Sequence, residues 1–223
     1  MYNYDLMWFC AWSETKGMNI NMSGFFAMIS RMKYIDRWGL MRCTRNETLA
    51  EHTLETAMLT HALVEIGNVR FMRSLDAGRA VLIAMYHDCA EIITGDLPTP
   101  VKYHDLSIRV AYHSIERQAT KRLMAMLPES LLPVFAPCLE PGQTDKEVYG
   151  PYIKAADKLS ALIKCTEELK AGNMEFQAAS KTISEHPALQ LPEAQLFIKE
   201  YLPAYALSLD EVERFGKTEK ITE

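Results

Sequence analysis

The apolar residues of this chain recur at the three- and four-residue spacing of amphipathic helices almost throughout its length. No two segments show the strict apolar–polar alternation that a half-buried hairpin requires. A chain of 223 residues can bury one substantial core, whereas a second independent domain would be cramped. The sequence therefore predicts a single all-α domain, which we place at residues 22–211.

Helix-capping residues, glycines and prolines divide this pattern into separate helices. The predicted spans are 23–35, 48–66, 77–94, 105–127, 129–139, 145–171, 174–184 and 192–206. Asp76 is expected to cap the third helix, and Gly95 to end it. Two prolines predict that residues 96–100 are not helical, and Pro151 predicts a kink or a new start within the sixth helix.

The two ends of the chain lie outside the predicted domain. Trp8, Phe9 and Trp12 give residues 1–21 a faint likeness to a secretory apolar segment, but Asp5 and no Lys or Arg precede them. We expect residues 1–21 to be a poorly ordered extension, which a start at Met22 would remove, and residues 212–223 to be a polar tail.

Charge and cysteine content restrict the partners. The formal net charge of −5 gives no broad basic face for a polyanion, so a phosphate-bearing substrate would need a metal or a specific Arg. The apolar runs are too short to span a bilayer. The five cysteines are scattered and odd in number, without CxxC spacing, which favours reduced thiols. We therefore expect a cytoplasmic protein that binds neither nucleic acid nor membranes.

His87 and Asp88 carry the strongest chemical signal because they lie within the apolar segment VLIAMYHDCAEII. Placing an ionised carboxylate in such surroundings costs several kcal/mol unless another charge compensates for it, and a divalent cation does so. A His–Asp hydrogen bond that only satisfies two half-buried groups is the alternative. For an isolated dipeptide that alternative would be favoured.

Two residues on other predicted helices are expected to face inward, and they favour a metal site over a simple His–Asp hydrogen bond. His52 shares a helix face with Leu49 and Leu59, and Asp157 lies within YIKAADKLSALI. Each alone is more often a satisfied core residue than a ligand. Together with His87 and Asp88 they offer two imidazoles and two carboxylates, a mixed set that suits Co, Mn, Fe or Zn and leaves positions for water and substrate.

Further residues near these four suggest hydrolysis of a phosphate ester. Glu91 follows Asp88 by three residues and could exchange a proton with the attacking water or the departing oxygen. Arg37 offers a bidentate phosphate donor beside the flat ring of Trp38. Asp96 could accept hydrogen bonds from a sugar or base, although a simple turn residue is the alternative.

Longer stretches resemble a known family, the HD-domain metal-dependent phosphohydrolases, and within it the bacterial 5′-deoxynucleotidases of the YfbR type. The order H…HD…D is the general mark of the superfamily. The more specific stretches are ISRMKYIDRWGLMR at 29–42, NETLAEHTLETAMLTHAL at 46–63, AMYHDCAEIITGDLPTPVKY at 84–103 and KAADKLSALIKCTEELKAGN at 154–173. The resemblance runs from about Met22 to about Glu211.

The resemblance implies a compact HD-domain helical bundle with a metal site between helices in its core. It implies hydrolysis of 2′-deoxynucleoside 5′-monophosphates to deoxynucleoside and phosphate. It also implies a homodimer and a divalent metal cofactor, with Co²⁺ best in vitro and Mn²⁺, Cu²⁺ or Zn²⁺ as substitutes.

The family's functional residues map onto this chain position by position. The implied metal ligands are His52, His87, Asp88 and Asp157, and the implied catalytic residues are Glu91 and Arg37. Trp38 would crowd the sugar C2′ position. The full set of implied substrate contacts is Arg37, Trp38, His52, Asp88, Asp96, Leu97, Pro98, Thr99 and Asp157.

Two alternatives remain open at this point. The chain could be another HD-type hydrolase that acts on a nucleoside triphosphate, a cyclic dinucleotide or guanosine tetraphosphate. It could also be a nucleotide-binding HD module without turnover. The presence of Glu91 argues against the second, because a binding module would not need a carboxylate for proton transfer.

Overall fold

The computed structural model describes residues 22–102 and 104–218, and all regular structure in these ranges is helical. The α-helices are α1 (Phe25–Ile29), α2 (Leu49–Arg70), α3 (Ala77–Ala84), α4 (Glu91–Thr94), α5 (Thr99–Lys102), α6 (Leu106–Met124), α7 (Leu132–Leu139), α8 (Gln143–Lys170), α9 (Gln177–Ser184), α10 (Pro192–Glu200) and α11 (Leu209–Thr218). Shorter 3₁₀ segments cover Ser30–Tyr34, Met174–Phe176, Pro187–Gln190 and Leu202–Ala206. The all-α prediction is confirmed, while the expectation for residues 1–21 concerns a segment outside the described residues.

The long helices α2 and α8 pack along each other, and α3 packs against both. In the apolar cluster that they share, α8 contributes Ala155 and Ala156, which are fully buried. Small side chains such as these let helix backbones approach closely. Leu63 of α2 and Leu159 of α8 are fully buried in the same cluster. A polar residue that faces inward from either helix therefore lies in an apolar interior.

The segment that carries His87 and Asp88 is not the continuous helix that the sequence predicts. α3 begins after Asp76 as expected but ends at Ala84, and residues 85–90 form successive turns before α4. Here backbone hydrogen bonds span three residues: the N–H of Tyr86 donates to Ile83 at 3.1 Å, and that of Glu91 to Asp88 at 2.9 Å. This tighter winding is invisible to hydrophobic periodicity, and it places the dipeptide in a turn.

The sequence predicts that α2 ends near Gly67, whereas the helix continues to Arg70. Glycine lowers helix propensity by about 1 kcal/mol relative to alanine, so tertiary packing has to favour it at this position. A Cβ atom at position 67 would lie 3.1 Å from Oε1 of Glu193, a fully buried residue of α10. Gly67 therefore permits a close approach between helices instead of ending one.

Two prolines are accommodated within helices, against the prediction. Pro100 lies in the first turn of α5, where a backbone N–H has no helical acceptor, so the non-helical stretch ends at Pro98. Pro151 lies inside α8, which runs without interruption from an N-cap at Gly142, and not from one at Thr144. Packing of α8 against the core outweighs the roughly 3 kcal/mol that an interior proline costs. An uninterrupted helix thus carries Asp157.

The start of α6 and the end of α8 agree with the prediction, whereas the C-terminal region differs from it. α6 begins after Asp105, whose side chain accepts a hydrogen bond from the N–H of Ile108, and α8 stops before Gly172, whose φ is +84°. Helix α11 runs from the end of the predicted domain, at Leu209, into the region predicted as a polar tail and ends at Thr218. Its start is stabilised because the backbone N–H of Ser208 donates to Oε2 of Glu211 at 2.7 Å.

Neither a disulfide nor a membrane-spanning helix is found in the described part of the chain. The cysteines there, Cys43, Cys89, Cys138 and Cys165, are free thiols. Within the same ranges, no helix combines the length and apolarity needed to cross a bilayer.

The loop between α1 and α2 is fastened to α8 by Glu168. This carboxylate, 1% exposed, accepts hydrogen bonds from the backbone N–H of Thr44 at 2.9 Å and from its hydroxyl at 2.8 Å. Lys164 donates both to Glu168 and to the backbone carbonyl of Arg45, and Asn173 donates to Glu168 at 2.8 Å. Because residues 35–48 of this loop contain no helix, these contacts help to fix its position.

We expect Glu168→Gln to destabilise the fold in a pH-dependent way. Burial raises the pKa of Glu168, but the hydrogen bonds from Lys164, Asn173 and Thr44 outweigh burial and lower that pKa from 4.5 to about 2. A depressed carboxyl pKa stabilises the folded state above the unfolded value, and this contribution disappears as the pH falls through the folded value. The expected loss at pH 7 is about 3 kcal/mol.

Urea unfolding of wild type and variant at stepped pH values tests this expectation. The difference in the free energy of unfolding should shrink as the pH falls from 5 toward 2. Glu213→Gln, at an exposed position of α11, is the control and should show no such trend. A wild-type-to-variant difference that does not change with pH would contradict the assignment.

Candidate metal centre

The four predicted ligands meet in the interior of the fold. His52 lies on α2, His87 and Asp88 lie in the turn after α3, and Asp157 lies on α8. Nε2 of His52 is 3.4 Å from Oδ1 of Asp157 and 3.7 Å from Oδ2 of Asp88. Nε2 of His87 is 3.0 Å from the same Asp88 oxygen. Ligand atoms of His52, His87 and Asp157 all lie within 4.8 Å of one another, a spacing that could hold a metal ion.

A chain of hydrogen bonds fixes the tautomer of His52. Its Nδ1 lies 3.0 Å from the hydroxyl oxygen of Ser160, and that hydroxyl donates to Oε2 of Glu55 at 2.6 Å. Since the hydroxyl proton is directed at Glu55, the serine oxygen accepts the Nδ1–H of His52. The lone pair on Nε2 is then directed toward the two carboxylates, as a metal ligand requires.

His87 is oriented in the same sense by the tight turn. Its Nδ1–H donates to the backbone carbonyl of Ala84 at 2.7 Å. Its Nε2 is buried and has no hydrogen-bond partner among the described residues, although a carboxylate oxygen of Asp88 lies nearby. Two acceptors at this distance repel unless a proton or a cation lies between them. The orphaned nitrogen therefore fits a bound cation.

The charges around the centre also favour a cation. Burial alone would lower the pKa of His87, but the adjacent Asp88, with Asp157, outweighs burial and raises it to about 9. Burial likewise opposes ionisation of Asp88 and Asp157, yet both carboxyl pKa values lie well below their usual range. His87 and His52 lower the pKa of Asp88, and His52, with Lys154 and Lys158, lowers that of Asp157. Two ionised carboxylates with two imidazoles form a nitrogen–oxygen set typical of borderline divalent ions.

Glu91 is a buried carboxyl group beside this centre, only 6% exposed, at the first position of α4. Burial raises its pKa, and the negative charges of Asp88 and Asp96 raise it further, to about 9, although Lys102 partly opposes them. Nζ of Lys102 lies 3.9 Å from Oε1 of Glu91. A carboxyl group with a raised pKa is suited to carry a proton and deliver it to a leaving group.

Arg37 lies between two carboxylates, those of Glu47 and Asp96. Its Nη1 lies 3.5 Å from Oε1 of Glu47, and its Nε lies 4.0 Å from Oδ2 of Asp96. Nη1 is buried and makes no hydrogen bond within the described residues. Burial raises the pKa of Asp96 and the charge of Asp88 adds to this, although Arg37 opposes both. A guanidinium nitrogen that makes no hydrogen bond can donate one to a phosphate oxygen.

Trp38 is held on two sides. Its indole N–H donates to Oε2 of Glu47 at 2.6 Å, and its ring centroid lies 5.2 Å from that of Phe176. Its φ is +61°, in the left-handed region that residues other than glycine enter only when their surroundings enforce it. Leu97 and Pro98 are half-buried in the segment after Asp96, while the side chain of Thr99 lies outside the described residues.

Comparison with known proteins identifies the family. The model of the YfbR-like 5′-deoxynucleotidases matches residues 24–205. A 5′-deoxynucleotidase of Photorhabdus laumondii is 47% identical over 196 residues, which cover 86% of this chain and 97% of the relative. One of Yersinia pestis is 46% identical over 192 residues, again with 86% and 97% covered. The chain belongs to the YfbR-like 5′-deoxynucleotidase family.

Solved structures place this member of the family in the HD-domain fold. An HD-domain phosphohydrolase from Listeria innocua superposes with a TM-score of 0.70 at 21% identity, covering 85% of this chain and 91% of that one. The HD phosphohydrolase DatZ of cyanophage S-2L, described as bound to dA and one catalytic Zn²⁺ ion, superposes with a TM-score of 0.52 at 19% identity, covering 79% and 95%. The predicted HD-type helical bundle is thereby confirmed.

Several residues of the site are not predicted from the sequence. Ser160 and Glu55 follow Asp157 and His52 by three residues on the same helices, and this spacing could have identified both. Lys102 lies beyond two prolines, and nothing in its neighbourhood suggests a contact with Glu91. Glu47 shows no periodic signal at all, because its place depends on the antiparallel bridge between Asp36 and Thr48.

We expect Ser160→Ala to weaken metal binding by roughly 10–100-fold, because His52 loses the acceptor that fixes its tautomer. Calorimetric titration with Co²⁺ measures the affinity. Thr166→Ala, which removes a hydroxyl bonded to the carbonyl of Leu162 on the same helix, should bind Co²⁺ like wild type. Unchanged affinity in Ser160→Ala would show that this hydroxyl does not support the ligand.

Proposed function

We propose that this protein hydrolyses 2′-deoxynucleoside 5′-monophosphates to deoxynucleoside and inorganic phosphate. The observation that carries the proposal is the combination of the His52–His87–Asp157 cluster, the buried Glu91 with its raised pKa and an Arg37 nitrogen that makes no hydrogen bond among the described residues, in a member of the YfbR-like family. Relatives from Photorhabdus and Yersinia that share nearly half of its residues are named 5′-deoxynucleotidases. The scattered cysteines favour the cytoplasm as its location.

His52, His87, Asp88 and Asp157 would hold one divalent cation. When bound, such an ion offsets the charge of the phosphate and lowers the pKa of a coordinated water. We propose Co²⁺ as the best activator in vitro, with Mn²⁺, Cu²⁺ or Zn²⁺ as substitutes. The mixed nitrogen–oxygen donor set supports a borderline ion.

The chain's own residues would bind and orient the substrate around this cation. Arg37 would hold the 5′-phosphate through Nη1, which is buried and without a hydrogen bond among the described residues. Trp38, adjacent in sequence and fixed by Glu47, would occupy the space that a 2′-hydroxyl needs. The remaining substrate contacts that we propose are His52, Asp88, Asp96, Leu97, Pro98, Thr99 and Asp157.

Glu91 would transfer the proton. Its raised pKa supports delivery of a proton to the departing 5′-oxygen, which would otherwise leave as an alkoxide. Lys102, near Oε1 of Glu91, would hold the carboxylate that remains. Most of the acceleration of phosphoryl transfer comes from positioning and charge, so Glu91 adds to a larger effect of the cation and Arg37.

We expect wild type to release phosphate from dAMP in the presence of Co²⁺, and much less from AMP or dATP. Glu91→Gln should lower kcat for dAMP by roughly 100-fold or more, because the amide N–H is not acidic enough to protonate the leaving oxygen. KM and Co²⁺ affinity should change little. Phosphate release measured over a range of dAMP concentrations gives both constants.

Glu116→Gln is the matched control, because Glu116 is the closer carboxylate to Lys102, at 3.0 Å, and is not expected to touch substrate. This variant should keep most of the wild-type activity. Equal losses in both variants would mean that the position of Lys102, and not proton transfer by Glu91, limits the rate. Release from dATP in preference to dAMP would refute the substrate assignment.

We also propose that the protein is a homodimer formed through one apolar face. A groove of about 720 Å³ lies along α2 and α3, lined by exposed side chains that include Leu54, Met58 and Met85. Exposed apolar patches of this kind commonly mark protein interfaces.

Light scattering should give the mass of a dimer for wild type and of a monomer for a Leu54→Asp, Met58→Asp variant. Leu106→Asp, at another exposed position, should remain dimeric, and a monomeric wild type would contradict the proposal.

A further inference from the structure

Glu47 is a buried carboxylate, 6% exposed, that contacts three different parts of the site. Its Oε2 accepts the indole N–H of Trp38 at 2.6 Å. Its Oε1 lies 3.5 Å from Nη1 of Arg37 and 4.0 Å from Nδ1 of His52. We propose that Glu47 is the positioning residue that sets the preference for deoxyribose over ribose, by holding the Trp38 ring in place. This inference rests on the proposed function.

The backbone fixes Glu47 relative to the residues that it positions. The N–H of Arg37 donates to the carbonyl of Glu47 at 2.9 Å, and the N–H of Leu49 donates to the carbonyl of Ile35 at 2.8 Å. These bonds flank the bridge between Asp36 and Thr48. Glu47 also directly precedes the N-cap of α2, the helix that carries His52. Its carboxylate is therefore held in a constant position with respect to the metal centre.

Trp38 needs such support because its own backbone conformation is unfavourable. A non-glycine residue in the left-handed region costs of order 1–3 kcal/mol and persists only when its surroundings impose it. Phe176 contacts the ring, but a ring contact alone permits sliding. The short hydrogen bond to Glu47 sets the rotation of the indole about its side-chain torsions. A hydrogen bond to a carboxylate is stronger than one between neutral groups, which suits it to this purpose.

The ring orientation decides the space available at the sugar. A 2′-hydroxyl adds one oxygen atom, so a small rotation of the indole would admit it. Loss of the Glu47 carboxylate should therefore raise the acceptance of AMP more than it lowers the use of dAMP. A change in selectivity separates this role from simple damage to the site, which would lower both activities together.

The test measures kcat/KM for dAMP and for AMP, each with Co²⁺, in wild type and variants. Glu47→Ala should lower the dAMP-to-AMP ratio by at least about tenfold, since it removes a charge-assisted hydrogen bond. Glu47→Gln keeps an acceptor for the indole N–H and should retain most of the ratio. Trp38→Phe keeps an aromatic ring but has no N–H, so it should lower the ratio to a similar extent as Glu47→Ala.

A double variant makes the assignment specific. In the Trp38→Phe background, Glu47→Ala should have little further effect on the ratio, because the contact is already absent. Additive effects in the double variant would overturn the inference, as would an unchanged ratio in Glu47→Ala. If Glu47→Ala does not fold, Trp38→Phe with a ratio equal to that of wild type would overturn it. A wild type without preference for dAMP over AMP would instead refute the proposed function itself.

Discussion

Two carboxylates and two imidazoles meet in the interior between α2, α8 and the turn after α3, where ionised groups are costly to bury. Ligand atoms of His52, His87 and Asp157 lie close enough together to share a cation, and Asp88 lies beside both histidines. The small residues Ala155 and Ala156 occupy the cluster between the long helices, so that His52 and Asp157 can face each other. The binding energy of a metal would therefore also be energy that holds three segments together.

Both histidines present Nε2 to the centre because a fixed acceptor takes the proton on Nδ1. For His52 this acceptor is the Ser160 hydroxyl, and for His87 it is the backbone carbonyl of Ala84. In the second case the acceptor lies three residues before His87, in the turn after α3 that is wound more tightly than an α-helix. The same turn leads directly into Glu91, so ligand orientation and the position of the proton donor are set by one short piece of backbone.

The sequence was informative where function depends on residues that share a face of a predicted helix. His52 and Asp157 face inward because their neighbours at helical spacing are apolar, and the structure brings them to one point. Periodicity could not separate the tight turn at His87 from a continued helix, since both keep successive residues at similar angles. It could not locate Glu47 either, because a single antiparallel bridge between distant residues determines where that carboxylate lies. The predicted helix end at Gly67 and the predicted break at Pro151 were wrong for the same reason: tertiary packing overrides local helix propensity.

Helix α8 carries a proposed metal ligand, Asp157, and also Glu168, which accepts hydrogen bonds from Thr44 in the loop between α1 and α2. Asp157 and Glu168 are eleven residues apart on it, close to three full turns at about 3.6 residues each, so both face the same side. Inserting or deleting one residue between them would rotate one by about 100° relative to the other. The number of residues in this interval is thus a constraint on divergence within the family, separate from the constraint on which side chains occupy it.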